Sequence, residues 1–575
     1  MSPTASIPDR LREWARRRPD KPAVIAARAS AQGGVSPVDR RLSFAELARD
    51  MDRLALGFAR AGLAAGEKTL FMVRPGLDFF AGFFALLARG AVPVLIDPGM
   101  GRARLFECVA HCAPAALAGI SPAHLVTRLW PAPFRSLRFR ATAGRLWPLV
   151  GGGPTFEQLR AAGAAAAAAG AVPGADAPSD PDALAAILFT TGSTGPAKGV
   201  EYTRGMLARQ LELLAGALDL REDDVDCATF PGFSLYSAAL GMTAVIPDMN
   251  PARPGFADPR HIESVIRHYR CTFAFGSPAL WRRVTTHAVE NRVTFPTLRR
   301  AMTAGAPAPE EVHEKLLAAL MGPEAETFAP YGATEAMPVA NLAGSEALRE
   351  TFALTREGKG VCVGRPPSGV TTAVIPLTDD PIPEWSGELQ LPVGEIGEIA
   401  VTGEHVTRRY HRRPDADRLA KISEKTPDGG ERIWHRMGDA GYIDALGRLW
   451  FCGRKAHRVD APDGSRHFSE CCEAVMNRHP AVARSALVRC RIAEPRGAEL
   501  SRGGEWPGLV VELRPGFKPA KALMDELRRW AEQHETTRKL AAIKAYPGPL
   551  PTDIRHNTKI NREELTRWIN ASARV

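Results

Sequence analysis

The chain lacks an apolar leader and any run long enough to cross a bilayer. Residues 1–20 mix Asp, Glu and Arg with no apolar core, so no secretory signal peptide is expected. The longest apolar run, residues 79–88, is about half a membrane span and stops at Arg89, so it reads as a buried helix. Without a spanning segment, any membrane contact is peripheral. Zinc-type Cys-x-x-Cys pairs are also missing. Cys108 and Cys112 flank His111, and Cys471-Cys472 lie near His467 and His479, but neither group has metal-site spacing. Nine cysteines, an odd number without an export signal, point to reduced thiols in the cytoplasm. No repeat of about 20–50 residues occurs, so a solenoid is excluded. No basic cluster interleaved with aromatics appears, so nucleic acid is not an expected partner. An arginine-rich composition and an anionic substrate account for the net charge of +10.

At 575 residues the chain exceeds one ordinary core, and two or more domains are expected. Its 45% hydrophobic and 24% charged residues sit at globular averages and exclude a disordered or fibrous chain. The most informative stretch is Phe189-Thr-Thr-Gly-Ser-Thr-Gly-Pro-Ala-Lys-Gly199. It follows the apolar run Ala185-Ala-Ile-Leu188, the end of a buried strand. Its glycines and hydroxyls let backbone N–H groups and side chains surround phosphate oxygens, with Lys198 as a point charge. Walker A spacing cannot be drawn through it.

Residues 42–98 alternate helical and strand patterns. Ser43-Phe-Ala-Glu46 predicts a capping box that opens a helix through about Ala61. Strands at 69–73 and 91–96 bracket a helix at 77–89, a βαβ rhythm that predicts a mostly parallel sheet covered by helices. Residues 161–178, rich in Ala and Gly, read as either a flexible connection or an exposed alanine helix. Residues 271–276 and 298–305 read as further strands, and 358–410 as strand and turn. After Gly453-Arg454 an α+β portion of roughly 120 residues follows, about one small domain. It holds strands at 484–488 and 509–513, a helix at 520–535, and a polar loop near the end.

Three more segments bear chemistry. Tyr331-Gly-Ala-Thr-Glu335, after an apolar turn, offers an aromatic to stack a purine, a hydroxyl for a phosphate oxygen and a carboxylate for Mg²⁺. In Trp434-His-Arg-Met-Gly-Asp439, the aspartate lies in a glycine-flanked turn suited to two ribose hydroxyls, with Arg454 a cation close behind. Near the end, Asp553-Ile-Arg-His-Asn-Thr-Lys559 presents a lysine on a polar loop.

In this order the motifs resemble the adenylate-forming superfamily, which includes acyl-CoA synthetases, luciferases and adenylation domains. The resemblance runs from about Ile7 to Trp568. It implies an α/β fold: an N-terminal domain, residues 1–453, of two α/β subdomains plus a β-barrel portion. A small mobile α+β C-terminal domain, residues 454–575, follows a hinge near Ala456. It implies ATP and Mg²⁺. By motif match, Thr190, Thr191, Gly192, Ser193, Thr194, Gly195 and Lys198 contact the ATP phosphates. Gly305, Ala306 and Pro307, with Tyr331 and Gly332, frame adenine; Thr334 meets the α-phosphate and Glu335 the Mg²⁺. Asp439 holds the ribose with Arg454 nearby, and Lys559 is the mobile catalytic lysine. Such enzymes join a carboxylate to the α-phosphorus of ATP and release pyrophosphate.

Departures from the general pattern bear on the acceptor. Ala197 stands where many relatives carry proline, and Arg555-His-Asn-Thr-Lys559 replaces the usual Ser-Gly-Lys. Thr229-Phe-Pro-Gly-Phe-Ser-Leu-Tyr236 lacks the histidine many acyl-CoA synthetases place there. These segments, with Val245-Ile-Pro-Asp-Met249, look like the branch that forms β-lactones in long-chain olefin biosynthesis. That resemblance implies a 2-alkyl-3-hydroxyalkanoic acid whose own 3-hydroxyl attacks the adenylate. It also implies neighbouring pathway enzymes, a β-lactone decarboxylase and a ketone reductase, as partners. Phe230, Phe233, Leu235, Tyr236 and Met242 are the candidate lining for the two alkyl arms, with ordinary core packing as the other reading. Asp248 and His556 are candidate bases for the hydroxyl. A fatty acyl-CoA synthetase is the alternative, since Gly464 lies where relatives approach pantetheine.

Overall fold

A computed structural model describes residues 5–30, 33–36, 39–148, 150–190, 197–491, 504–552 and 560–571. Two large sheets dominate. One has six strands in the order Phe139–Thr142, Ala116–Gly119, Lys68–Met72, Val92–Ile96, Leu184–Thr190 and Lys198–Thr203. All neighbours are parallel except the last pair. The other has eight, in the order Ala336–Ala343, Glu326–Ala333, Arg300–Thr303, Phe273–Gly276, Val225–Cys227, Thr243–Ile246, Pro22–Ala26 and Arg40–Ser43. Its interior is parallel, and each outer pair is antiparallel.

The helix Leu77–Arg89 is apolar on every side, and all residues from 79 to 88 are buried. Such a helix needs cover all round. It finds it in a shared core that joins Ala116 and Ala141 of the six-stranded sheet to Val24 and Ala244 of the eight-stranded one. The helix Phe44–Arg60 opens with the expected capping box between Ser43 and Glu46. It lies against the helix Phe156–Ala168, which takes up the first part of the alanine-rich segment. Two glycines allow that contact. A Cβ on Gly163 would stand 1.8 Å from the Arg53 carbonyl oxygen, and one on Gly57 2.1 Å from that of Leu159.

A third, antiparallel sheet runs Val361–Gly364, Leu449–Arg454, Glu431–Ile443, Gly397–Thr402, Thr371–Ile375, with Lys421–Lys425 also paired to Glu431–Ile443. Beyond it, Val482–Arg491, Glu505–Leu513 and Ala542–Ala545 form a small sheet with hydrophobic clusters of its own. All nine cysteines are buried and free. Among the described residues no helix is long and apolar enough to cross a membrane, and no cluster of three or more metal-ligating side chains occurs.

Candidate active site

The phosphate-loop candidate lies between the two strands of an antiparallel hairpin, and its two ends belong to those strands. Thr190 and Lys198 are partners in the antiparallel pair, so Phe189, Lys198 and Gly199 are strand residues and not loop. Thr191, Gly192, Ser193, Thr194 and Gly195 lie outside the described residues, as does the side chain of Thr190. The hairpin stem is braced by the segment around Tyr410. His411 donates its N–H to the Gly199 carbonyl (2.7 Å), and the His411 ring bridges Glu201 (2.7 Å) and Lys68 Nζ (3.1 Å). Burial opposes ionisation of Glu201, but bonds from His411 and Arg409 prevail and hold it below the usual carboxylate range. Lys198 Nζ stands 4.9 Å from the centre of the Tyr410 ring. It makes no hydrogen bond or ion pair with any described residue, so its charge remains available to a ligand.

Thr334 and Glu335 form the two-residue loop between Glu326–Ala333 and Ala336–Ala343, with Ala333 paired to Ala336. The turn thus falls at Thr334-Glu335, while Tyr331 and Gly332 belong to the strand. A Cβ on Gly332 would stand 2.7 Å from the Ala336 carbonyl oxygen, which demands glycine there. The loop is tied down from the Tyr410 side. The Glu335 carbonyl accepts from Thr407 N (2.9 Å) and Oγ1 (3.1 Å), and Glu335 Oε1 accepts from Tyr410 Oη (2.8 Å). Glu335 Oε2 has no partner among the described residues. Sequence reasoning missed the residue beneath this group, Lys421. Its ammonium lies 5.5 Å from the centre of the Tyr410 ring and donates to the Thr407 carbonyl and hydroxyl. Burial brings Lys421 down to about 8. No local signal marks Lys421; only its pairing with His435 on the next strand puts it here.

Asp439 sits at a bulge inside the strand Glu431–Ile443, not in the turn expected from its flanking glycines. Gly438, at φ +67°, supplies the kink. The side chain is buried. Its Oδ2 accepts from Tyr331 Oη (2.6 Å), and Arg454, its register partner on the next strand, places Nη1 3.0 Å from Oδ1. That approach is misaligned, and Oδ1 accepts no hydrogen bond among the described residues. A buried carboxylate oxygen with an open lone pair is costly unless a ligand donor fills it. Burial raises the Asp439 carboxyl above its usual range, against the pull of Arg454 and the Tyr331 hydroxyl. Burial likewise pushes the Tyr331 phenol well up, so it stays a donor.

Gly305, Ala306 and Pro307 follow Arg300–Thr303, the parallel neighbour of the strand that carries Tyr331. Gly305, at φ +96°, has open space where a Cβ would be. Ligands in α/β folds bind at such carboxyl ends of strands. Phe230 joins this edge: it is 44% exposed and its ring stands 5.5 Å from Phe275, at the end of Phe273–Gly276. The other candidate lining residues are core. Phe233 and Met242 pack with Leu214, Phe273 and Met302, Tyr236 bonds Gln210, and Leu235 turns into the shared core between the large sheets. Asp248 is exposed, and its carboxylate accepts from Ala29 N at 3.5 Å. His556 and Lys559 lie outside the described residues.

Among the described residues the geometry thus gathers a cation without an ion-pair partner, a carboxylate with one open oxygen and a buried carboxylate oxygen that accepts no hydrogen bond, which suits a nucleotide. Two relatives extend over nearly the whole chain. The olefin β-lactone synthetase of Xanthomonas campestris pv. campestris is 41% identical over 574 residues, covering 99% of this chain and 98% of the relative. The olefin β-lactone synthetase of Stenotrophomonas maltophilia is 41% identical over 575 residues, covering 99% of each. Among solved structures, the amide bond synthetase McbA from Marinactinospora thermotolerans has the same fold. Its TM-score is 0.72 at 19% identity, covering 98% of this chain and all of that one. A family model described as AMP-binding enzyme matches residues 11–411. The chain belongs to the AMP-binding enzyme family.

Proposed function

We propose that this chain is an ATP-dependent ligase that activates a 2-alkyl-3-hydroxyalkanoic acid and closes it onto its own 3-hydroxyl as a β-lactone. The observation that carries this reading is the 41% identity, over 99% of the chain, to two enzymes described as olefin β-lactone synthetases.

In the first step a carboxylate oxygen of the acid bonds to the α-phosphorus of ATP, and the bond to the bridging oxygen breaks, releasing pyrophosphate. Asp439 Oδ1 accepts a ribose hydroxyl, and the Tyr331 phenol keeps Oδ2 occupied so that the carboxylate does not rotate. Lys198 meets the phosphates from the hairpin stem. Mg²⁺, when bound, neutralises phosphate oxygens. Glu335 would hold it, since Oε2 has no partner among the described residues, and one carboxylate plus substrate phosphates is an ordinary Mg²⁺ set. Lys559 adds charge stabilisation to the transition state, and Lys559→Ala is expected to cost about 10²–10³ in rate.

In the second step the 3-hydroxyl oxygen bonds to the acyl carbon, the bond from that carbon to the AMP oxygen breaks, AMP departs with the electron pair, and the hydroxyl proton passes to solvent. The nucleophile is already tethered, so no second substrate site is needed. Water must be kept from the mixed anhydride. The division at 453/454 and the hinge near Ala456 belong to the same reading, supported by the separate hydrophobic clusters of the C-terminal strands.

A thioester-forming ligase is the second reading, favoured by Gly464 at the exposed tip of a turn with open space around it. Incubation with ATP, Mg²⁺ and the hydroxy acid, with and without CoA, separates the two. Lactone without CoA supports the proposal; a product that requires CoA overturns it.

A further inference from the structure

Residues 108–156 hold five arginines and no acidic residue. Contrary to the sequence-based expectation, arginines and aromatics do alternate here, through 128–147. They lie too far apart to stand out until the fold brings them together. We propose that the outer side of the helix Ser121–Leu129, with the tryptophans at its two ends, docks on an anionic phospholipid surface.

Trp130 caps the C-terminal end of that helix through a bond from its N–H to the Val126 carbonyl. At the N-terminal end, Ser121 Oγ donates to the Arg145 carbonyl (2.8 Å) and accepts from Trp147 N (3.0 Å). The helix is nine residues long, so the two tryptophans are separated by about 13 Å of helix. Leu129, Trp130 and Trp147 are 59%, 38% and 46% exposed. Pro122, Leu125 and Leu129 fall on one side of the helix at spacings of three and four. Phe106 and Arg102, on the neighbouring helix Arg102–Cys112, brace Trp130: Phe106 at 5.9 Å, and Arg102 stacked over the indole at 4.9 Å.

Arg128, Arg135 and Arg145 are exposed around this apolar ridge. The acidic groups on adjoining elements are few. Glu67 is engaged by Arg138, and Glu107 is exposed on the same helix as Arg102. Tryptophan at the edge of an aliphatic ridge, ringed by arginine, matches the depth profile of a bilayer interface with anionic headgroups. Nucleic acid fits less well, because the most exposed apolar group, Leu129, has no ring face on which a base can stack.

The test is flotation of the full-length protein with two kinds of vesicle: pure phosphatidylcholine, and equal parts phosphatidylcholine and phosphatidylglycerol. Binding is expected only to the anionic vesicles and is expected to weaken with salt. Arg128→Gln and Arg145→Gln should each weaken it about fivefold. Leu129→Ser with Trp147→Ser should abolish it. Pyrophosphate exchange and melting temperature should stay unchanged in the arginine variants, which keeps the test valid if the serine pair fails to fold. Four results overturn the proposal: no binding, equal binding to neutral vesicles, wild-type binding by the arginine variants, or tighter binding to single-stranded RNA than to vesicles. Loss of an oligomer in the variants with unchanged vesicle binding also overturns it, by assigning the ridge to a second copy of the chain.

Discussion

Lys198 and Lys421 address one aromatic ring: their Nζ atoms stand 4.9 and 5.5 Å from the centre of Tyr410. The same tyrosine donates its hydroxyl to Glu335. One ring therefore couples the hairpin lysine, the hairpin-loop carboxylate and a buried lysine that carries no sequence signature. Tyr410→Phe keeps the ring and removes only the donor to a carboxylate. A hydrogen bond to a charged group is worth about 1.5–3 kcal/mol, so ATP–pyrophosphate exchange should fall about 10–100-fold. Tyr410→Leu should fall further, because the cation–π contact to Lys198 goes as well. Equal rates for Tyr410→Phe and wild type would show that Glu335 does not depend on that bond.

Lys421 makes stability depend on pH. Burial lowers it from 10.5 to about 8. Between those values the unfolded chain binds more protons than the folded one, so the wild type gains stability as pH rises through the window. Below about 8 the ammonium is charged in both states, and the full burial cost, on the order of 3 kcal/mol, is present. Lys421→Met has no such cost. Urea unfolding at about pH 7 and about pH 11 should therefore show the stability difference moving toward the wild type by roughly that amount. A difference that stays flat contradicts a buried, depressed lysine.

Tyr331 and Asp439 should act as a unit. Tyr331→Phe and Asp439→Asn should each raise KM for ATP, with less effect on kcat. The double variant should fall short of the sum, with a coupling of about 0.5–3 kcal/mol. Additive effects would separate the phenol from the carboxylate.

Much of the scaffold was readable in the sequence because its signals are local. Ser43 with Glu46 marks a helix start, and the unbroken apolar run at 79–88 marks a helix buried on every side. Misreadings arose where glycine serves a strand. Gly438 and Gly441 flank Asp439 and suggest a turn, yet Gly438 makes a bulge and Gly441 lets a neighbouring strand approach closely. The Thr334-Glu335 turn has no glycine, asparagine or proline to announce it. Tyr410 and Lys421 were invisible for a different reason. Tyr410 reaches the site by bridging to Val200, and Lys421 by pairing with His435, contacts that only the tertiary fold creates.

The packing of the N-terminal helices can be tested separately from the chemistry. Gly163→Val puts a side chain where the Arg53 carbonyl oxygen leaves no room. The helices must move apart, and the loss should be at least about 1–3 kcal/mol in urea unfolding. Gly216→Ala, at an exposed position of the helix Arg204–Ala217 where nothing lies within 4 Å and φ is not positive, serves as the control and should not lose stability. Unchanged stability in Gly163→Val would contradict the close helix contact.

The most direct test of the central claim follows the oxygen atoms. The hydroxy acid is prepared with heavy oxygen at both carboxylate positions and incubated with ATP, Mg²⁺ and enzyme in ordinary water, without CoA. Activation and closure onto the 3-hydroxyl should give AMP carrying one of the two labels. The partner product should be a lactone lighter than the labelled acid by one heavy-oxygen water, keeping the other label in its carbonyl. Unlabelled AMP, or labelled AMP with only free acid that has taken up solvent oxygen, would contradict the account.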